Sequence, residues 1–247
     1  KQHAITSERL LCMEGRFVRA CYKTILIILA VLATVACSQR ELRRVSNAAQ
    51  KAALDPVTWG SAGAAALFAL DGNTLDIKVS NWAMTKNPVF GSRQQALDAS
   101  DDLRSAADYG AKLSVLLIPS QQNPTDWMWD KNRTLLLESV PAALTLNTTG
   151  VLKRTTNRDR PTQNFSRDSF PSAHSSTAFN NASLGSLHVQ QYNLPSTTRN
   201  LLSATFFSLG GGTAWARVEG GVHYPSDVLF GAALGNFFAN FIYDAFV

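Results

Sequence analysis

Between Lys153 and Asp227 three short segments collect cationic, hydroxyl and imidazole side chains in loops and at helix ends. The first is Lys153-Arg154-Thr155-Thr156-Asn157-Arg158-Asp159-Arg160-Pro161, where Lys153 and Arg160 flank a short turn and can close on one anion. A guanidinium meets anionic oxygens with two parallel N–H donors, and an ammonium adds a compact point charge. Alone, such a loop is usually a solvated charged surface. The second is Pro171-Ser172-Ala173-His174, directly before a helical stretch. Serine at an N-cap leaves backbone N–H groups and a hydroxyl facing outward, a natural anion cradle that His174 in the first turn would face. Alone, a helical histidine is more often structural. The third runs from Arg217 to Asp227, with Gly220-Gly221 permitting a tight turn that brings Arg217 and His223 together. Asp227 follows His223 by one helical turn, so it can accept the Nδ1 proton and leave Nε2 free to attack. The ordinary role of such a pair is a buried hydrogen bond.

The elements that must position these groups read as helices. Trp59 to Leu70 is small and apolar, a helix of about three turns ended by Asp71-Gly72-Asn73. Thr74 to Arg93 mixes Trp82, Pro88, Phe90 and Gly91 without a period and reads as an ordered loop. Gln94 to Pro119 reads as one or two helices, and Arg133 to Lys153 as another. Arg154 to Pro171 is a polar loop. Ala173 to Gln191 shows helical spacing, Thr197 to Arg217 is a helix interrupted by Gly210-Gly211-Gly212, and Ser226 to Val247 is the last helix. About six core helices, without alternating strands or internal repeats, make an all-α bundle. Most candidates carry charge, carry several polar side chains or fall short of a membrane span, and the mean hydropathy is −0.05. The expected arrangement is a soluble domain on an N-terminal tether. Trp82, Trp127, Trp129 and Phe170 either pack in the core or line a substrate entrance.

A chain of 247 residues with 45% apolar and 17% charged residues suits one folded domain plus a targeting segment, and excludes a disordered chain. Of the net charge of +5, +3 lies in residues 1–37, so the basic balance does not argue for nucleic-acid binding. Cys12, Cys21 and Cys37 lie in the same stretch, which leaves the rest without disulfides or thiolate metal ligands. Arg16, Arg19 and Lys23 precede the apolar run Thr24 to Ala36, the pattern of a bacterial export signal. Val35-Ala36-Cys37 resembles a lipobox with Thr34 in place of the usual leucine, so Cys37 is the candidate lipidated residue; simple cleavage after Ala36 is the alternative.

Taken together, Lys-x6-Arg-Pro, Pro-Ser-x-His and Arg-x5-His-x3-Asp, in this order, resemble the three-part signature of the type 2 phosphatidic acid phosphatase superfamily, which includes bacterial acid phosphatases and vanadium haloperoxidases. The resemblance covers Lys153 to Asp227, with Ala173 where glycine is typical and Ala216 where serine precedes the arginine. It implies a metal-independent phosphomonoester hydrolase without a cofactor, acting on a phosphorylated small molecule or a lipid phosphate or pyrophosphate. His223 would be the nucleophile, Asp227 its orienting carboxylate and His174 the general acid. Lys153, Arg160, Ser172, the Ala173 amide and Arg217 would bind the phosphoryl oxygens. The acidic residues show no metal-ligand spacing. A vanadium-dependent haloperoxidase and a non-catalytic anchored binding protein are the alternatives. The expected organisation is an export signal over 1–37, a tether over 38–58 and a helical phosphatase domain over 59–247, placed in the bacterial periplasm on an outer-membrane lipid anchor.

Overall fold

The computed structural model describes residues 39–70, 73–119, 123–162 and 166–247; the expected export signal and Cys37 lie outside them. The chain divides into a segment ending at Asn47 and a compact unit, Ala48–Val247. Among the described residues there are eight α-helices and no strand: α1 Gln39–Leu54, α2 Pro56–Leu70, α3 Thr74–Lys86, α4 Arg93–Leu116, α5 Pro124–Thr156, α6 Ala173–Gln190, α7 Ser196–Glu219 and α8 Pro225–Phe246. The fold is all-α, as expected.

Three elements differ from the sequence expectation, each for a physical reason. Thr74–Lys86 is helical although it reads as a loop. Its buried face is Asp76, Ser80 and Ala83, at helical spacing but mostly polar, so apolar periodicity cannot reveal it. Asn87 closes α3 in the left-handed region (φ 41°), its N–H donating to the Ala83 carbonyl. In α7 the glycine triplet does not break the helix, which is continuous from Ser196 to Glu219. Gly210 there packs against the Phe179 ring, where a Cβ would stand 3.3 Å from it. The third is α5, which starts at Pro124, with the Asn123 side chain accepting the Asp126 N–H and proline in the first turn.

The longer α5 bears on membrane association. Residues 125–156 and 225–246 are long and apolar enough to cross a membrane by length and composition. Half of the apolar window in α8 is buried inside the bundle, against 22% of that in α5. Met128, Trp129, Leu136, Leu146 and Val151 are exposed on α5. Composition therefore permits a membrane-associated domain, where the sequence reading expected a soluble one. Trp129 and Trp82 are exposed rather than core residues, Trp82 tilting against Trp215 with ring centroids 6.1 Å apart, while Phe170 packs on Phe230 at 4.8 Å.

Helix α6 is central and packs on α4, α5, α7 and α8. Its buried face is largely Ser175, Ser176, Asn180, Asn181, Ser183 and His188, with few large apolar residues. Such a helix packs by close approach and hydrogen bonds. On α8, a Cβ at Gly235 would stand 2.0 Å from the Ser176 carbonyl oxygen, and one at Gly231 2.7 Å from that of Ser172. Ser175 Oγ donates to the Val228 carbonyl at 2.6 Å. His188 ties α4 and α5 to α6, its Nδ1 2.7 Å from Ser114 Oγ and its Nε2 bonded to Glu138. The α6–α8 contact matters most for function, because it sets the start of α6 beside the start of α8.

Candidate active site

Each sequence-read residue between Lys153 and Asp227 sits at a helix end, in the α5–α6 loop or, for His223, in the α7–α8 turn. Lys153 lies in the last turn of α5, and Asn157 (φ 47°) then ends the helix. Lys153 Nζ donates to the Asp168 carbonyl and lies 3.8 Å from its carboxylate. Arg160 closes its fork on the same carboxylate, Nε and Nη2 each 2.9 Å from an oxygen. Burial works against the charge of Asp168, but Arg160, Ser166 and Lys153 outweigh it and hold the carboxyl well below the usual carboxylate range. Asp168 had no signal in the sequence, because only the folded loop returns it to Arg160. Burial, reinforced by Arg160 and Arg217 and opposed by Asp168 and Asp227, lowers the Lys153 pKa.

Ser172 is the N-cap of α6, its Oγ accepting the Ser175 N–H and its own N–H donating to the Asp227 carbonyl at 3.0 Å. Ala173 is the first helical residue and has no positive φ, so alanine in place of glycine carries no backbone strain here. Ala216 is fully buried inside α7, where its carbonyl accepts the Gly220 N–H. His174 reaches Asp101 of α4, Nε2 to Oδ1 at 2.9 Å. Burial and the cations Arg217 and Arg104 lower its pKa from 6.5, against the pull of Asp101. Asp101 escaped the sequence reading because a lone acid in a charged helix has no distinguishing spacing.

Arg217 closes α7 and is almost wholly buried. Its Nη1 donates to Ser100 Oγ at 3.2 Å, and its Nε is buried without a hydrogen-bond partner. Burial first, then Arg160 and Arg104, lower its pKa to about 10 against Asp101, which leaves it charged at neutral pH. After Gly220, the chain turns at Gly221 with φ 66°, a conformation that favours glycine. Thr162 donates through N and Oγ1 to the Gly221 carbonyl (3.3 and 2.9 Å), and Arg93 Nε to the Gly220 carbonyl at 2.8 Å. These bonds lay the Arg160-Pro161 segment against the turn that presents His223.

His223 is buried, and its Nδ1 lies 3.7 Å from Asp227 Oδ2, the ion-pair range rather than the hydrogen bond expected from the spacing. Asp227 Oδ2 instead accepts Ser169 Oγ at 2.6 Å and the Tyr224 N–H at 2.8 Å, and Oδ1 accepts Arg158 Nη1 at 2.6 Å. Burial opposes the Asp227 charge, yet His223, Arg158 and Ser169 hold its pKa below the ordinary carboxylate value. Burial is the main cause that lowers the His223 pKa to about 4; Asp227 opposes it, while Lys153 and Arg217 reinforce it. The outcome is a neutral imidazole at physiological pH, walled by cations. Among the described residues no group of three His, Cys, Asp or Glu side chains forms a metal site.

The PAP2 superfamily profile matches residues 135–247, a stretch that contains every one of the sequence-read site residues from Lys153 to Asp227. The chain is similar to the PAP2 superfamily over those residues. This match supports phosphatase-type hydrolysis as the general class of activity. Among solved structures, this chain is similar to the crystal structure of the first transmembrane PAP2 type phosphatidylglycerolphosphate phosphatase from Bacillus subtilis, at 17% identity over 89% of this chain and 92% of that one, with a TM-score of 0.39. A search of curated proteins finds no match.

Proposed function

We propose that this chain is a PAP2-type, metal-independent phosphomonoester hydrolase that works through a phosphohistidine at His223. The observation that carries the reading is a buried, neutral imidazole with Lys153 and Arg217 acting on it, beside an Arg217 Nε that has no hydrogen-bond partner among the described residues. A buried guanidinium donor left unpaired costs free energy, which a phosphoryl oxygen would recover. His223 Nε2 attacks phosphorus, the P–N bond forms, and the P–O bond to the leaving group breaks. His174 gives its proton to the departing oxygen; donation of Nε2–H to Asp101 leaves the Nδ1 edge for that transfer. The same imidazole then takes a proton from water, which attacks phosphorus and releases phosphate and free His223. Lys153, Arg160 and Arg217, with Ser172 and the Ala173 amide, hold the oxygens on which charge grows.

The electrostatics set a pH window. His223 acts as the free base, so activity is lost as pH falls through about 4. His174 acts protonated, so activity is lost as pH rises through its pKa, which burial and Arg217 hold below 6.5. A bell-shaped kcat/KM profile with an acidic optimum between these limits is expected, measured with a soluble aryl phosphate. An optimum above neutrality contradicts these assignments.

The decisive experiment incubates the chain with a ³²P-labelled phosphomonoester in excess chelator and quenches within one turnover. Acid-labile, base-stable label on His223 is expected, with vanadate blocking it. Loss of turnover in chelator, or halide oxidation with vanadate and peroxide in place of hydrolysis, overturns the reading. Placement at a membrane belongs to the same proposal, supported by the export signal with Cys37 and by the exposed apolar residues of α5. Side-by-side rates on a phosphatidic acid, an isoprenyl pyrophosphate and an aryl phosphate assign the substrate class.

A further inference from the structure

Arg158 lies two residues before Arg160 yet points away from the phosphate-binding cations, into the base of the His223–Asp227 pair. Its two terminal nitrogens divide between two carboxylates that are both fully buried. Nη1 donates to Asp227 Oδ1 at 2.6 Å and to Ser226 Oγ at 2.7 Å. Nη2 donates to Asp76 Oδ2 at 2.8 Å and to Asn73 Oδ1 at 3.0 Å, and the guanidinium lies 4.4 Å over the Tyr224 ring. Asp76, in the first turn of α3, also accepts the Ser226 N–H at 2.9 Å and is bonded by Ser226 Oγ. It thereby satisfies one of the orphan N–H groups at the start of α8, the helix that carries Asp227.

Removing the guanidinium would leave Asp76 and Asp227 as two buried carboxylates without the cation they share. Like charges in that setting cannot both stay ionised and in place. We infer that Arg158, anchored by Asp76, is a positioning residue that fixes the orientation and charge of Asp227 and, through it, His223. The inference rests on the reading of His223 as nucleophile. It also brings α3, which precedes the matched residues 135–247, into the working of the site. The spread of donors suits the role: Arg158, Ser169 and the Tyr224 N–H occupy Asp227 so that Oδ2 stands 3.7 Å from the imidazole at rest. A developing positive charge on His223 is then stabilised by a carboxylate already held in place.

The charged groups around the ring are Lys153 of α5, Arg158 and Arg160 of the α5–α6 loop, His174 of α6, Arg217 of α7, Asp227 of α8 and, behind Arg158, Asp76 of α3. Taking away Arg158 removes a cation that offsets Asp227, so the His223 imidazolium gains stability and its titration moves to higher pH.

The test compares wild type, Arg158→Gln, Arg158→Lys and Asp76→Asn on a soluble aryl phosphate, and follows the His223 ring by NMR titration in every chain. Arg158→Gln is expected to lower kcat by about 10²-fold with KM little changed, and to shift both the acid limb of kcat/KM and the ring titration to higher pH. Arg158→Lys should restore part of the rate and move both curves back, and Asp76→Asn should give a smaller loss. Wild-type kcat with unmoved curves in a folded Arg158→Gln chain overturns the inference. So does a rate loss matched by a loss of folded protein while the ring titration stays put. Should Arg158→Gln fail to fold, wild-type kcat with unmoved curves in Asp76→Asn overturns it as well. A wild-type chain without hydrolysis instead refutes the phosphatase reading, and the ring titration alone then decides the positioning role.

Discussion

Replacing His223 with alanine is expected to abolish phosphomonoester hydrolysis, with kcat falling on the order of 10⁴–10⁶-fold. The size follows from the role: losing the nucleophile removes the covalent step, and only orientation and oxyanion binding by Lys153, Arg160 and Arg217 remain. The fold should survive. The imidazole is buried, but its Nδ1 makes no hydrogen bond, so the variant breaks none there and leaves a small cavity worth about 2 kcal/mol. For a chain of this size that corresponds to a Tm shift of roughly 4–8 °C. Steady-state rates, label incorporation and thermal melts on the same preparation separate the two effects. Turnover at the wild-type level in the alanine variant would sink the mechanism.

The second large effect is expected at Arg217. Lysine there keeps a positive charge but loses the planar fork, and with it the Nε that the protein leaves unpartnered. Loss of one preorganised donor to a developing oxyanion typically costs about 10²–10³-fold in kcat. Vanadate imitates the five-coordinate phosphorus, so its inhibition constant should rise by a similar factor in Arg217→Lys, while binding of an unreactive phosphate ester weakens far less. Equal weakening of both ligands would mean that Arg217 contributes uniform ground-state binding only. The buried position of Arg217 makes the melt a necessary control, because a lysine ammonium there must still be satisfied, and Ser100 Oγ is the acceptor that Arg217 Nη1 uses.

The order and spacing of Lys153, Arg160, Ser172, His174, Arg217, His223 and Asp227 were legible because the chemistry needs those types near one another along the chain or at helix starts. Helix α8 was legible from its apolar residues and from Asp227 near its start. Helix α3 was not, since its inward face is Asp76, Ser80 and Ala83 and a buried polar stripe looks like a solvated one. The same reason hid how tightly α6 packs: its serines and asparagines meet the glycines of α8 at distances no periodicity encodes.

The sequence alone therefore determined the all-α class, and it carried the family resemblance and the seven side chains proposed to touch the phosphoryl group and its nucleophile, because each of these rests on local composition and spacing. Tertiary structure alone decided which partners hold them. Asp101 on His174, Asp168 on Arg160, and Asp76 with Arg158 on Asp227 join residues as far apart as 151 positions, Asp76 to Asp227. A carboxylate's effect depends on distance and burial, and neither exists until the helices have packed. His223 and Asp227 show this most plainly: four residues apart in the chain, they invite a direct hydrogen bond, and the fold sets them 3.7 Å apart because Arg158, Ser169 and the Tyr224 N–H already claim the carboxylate.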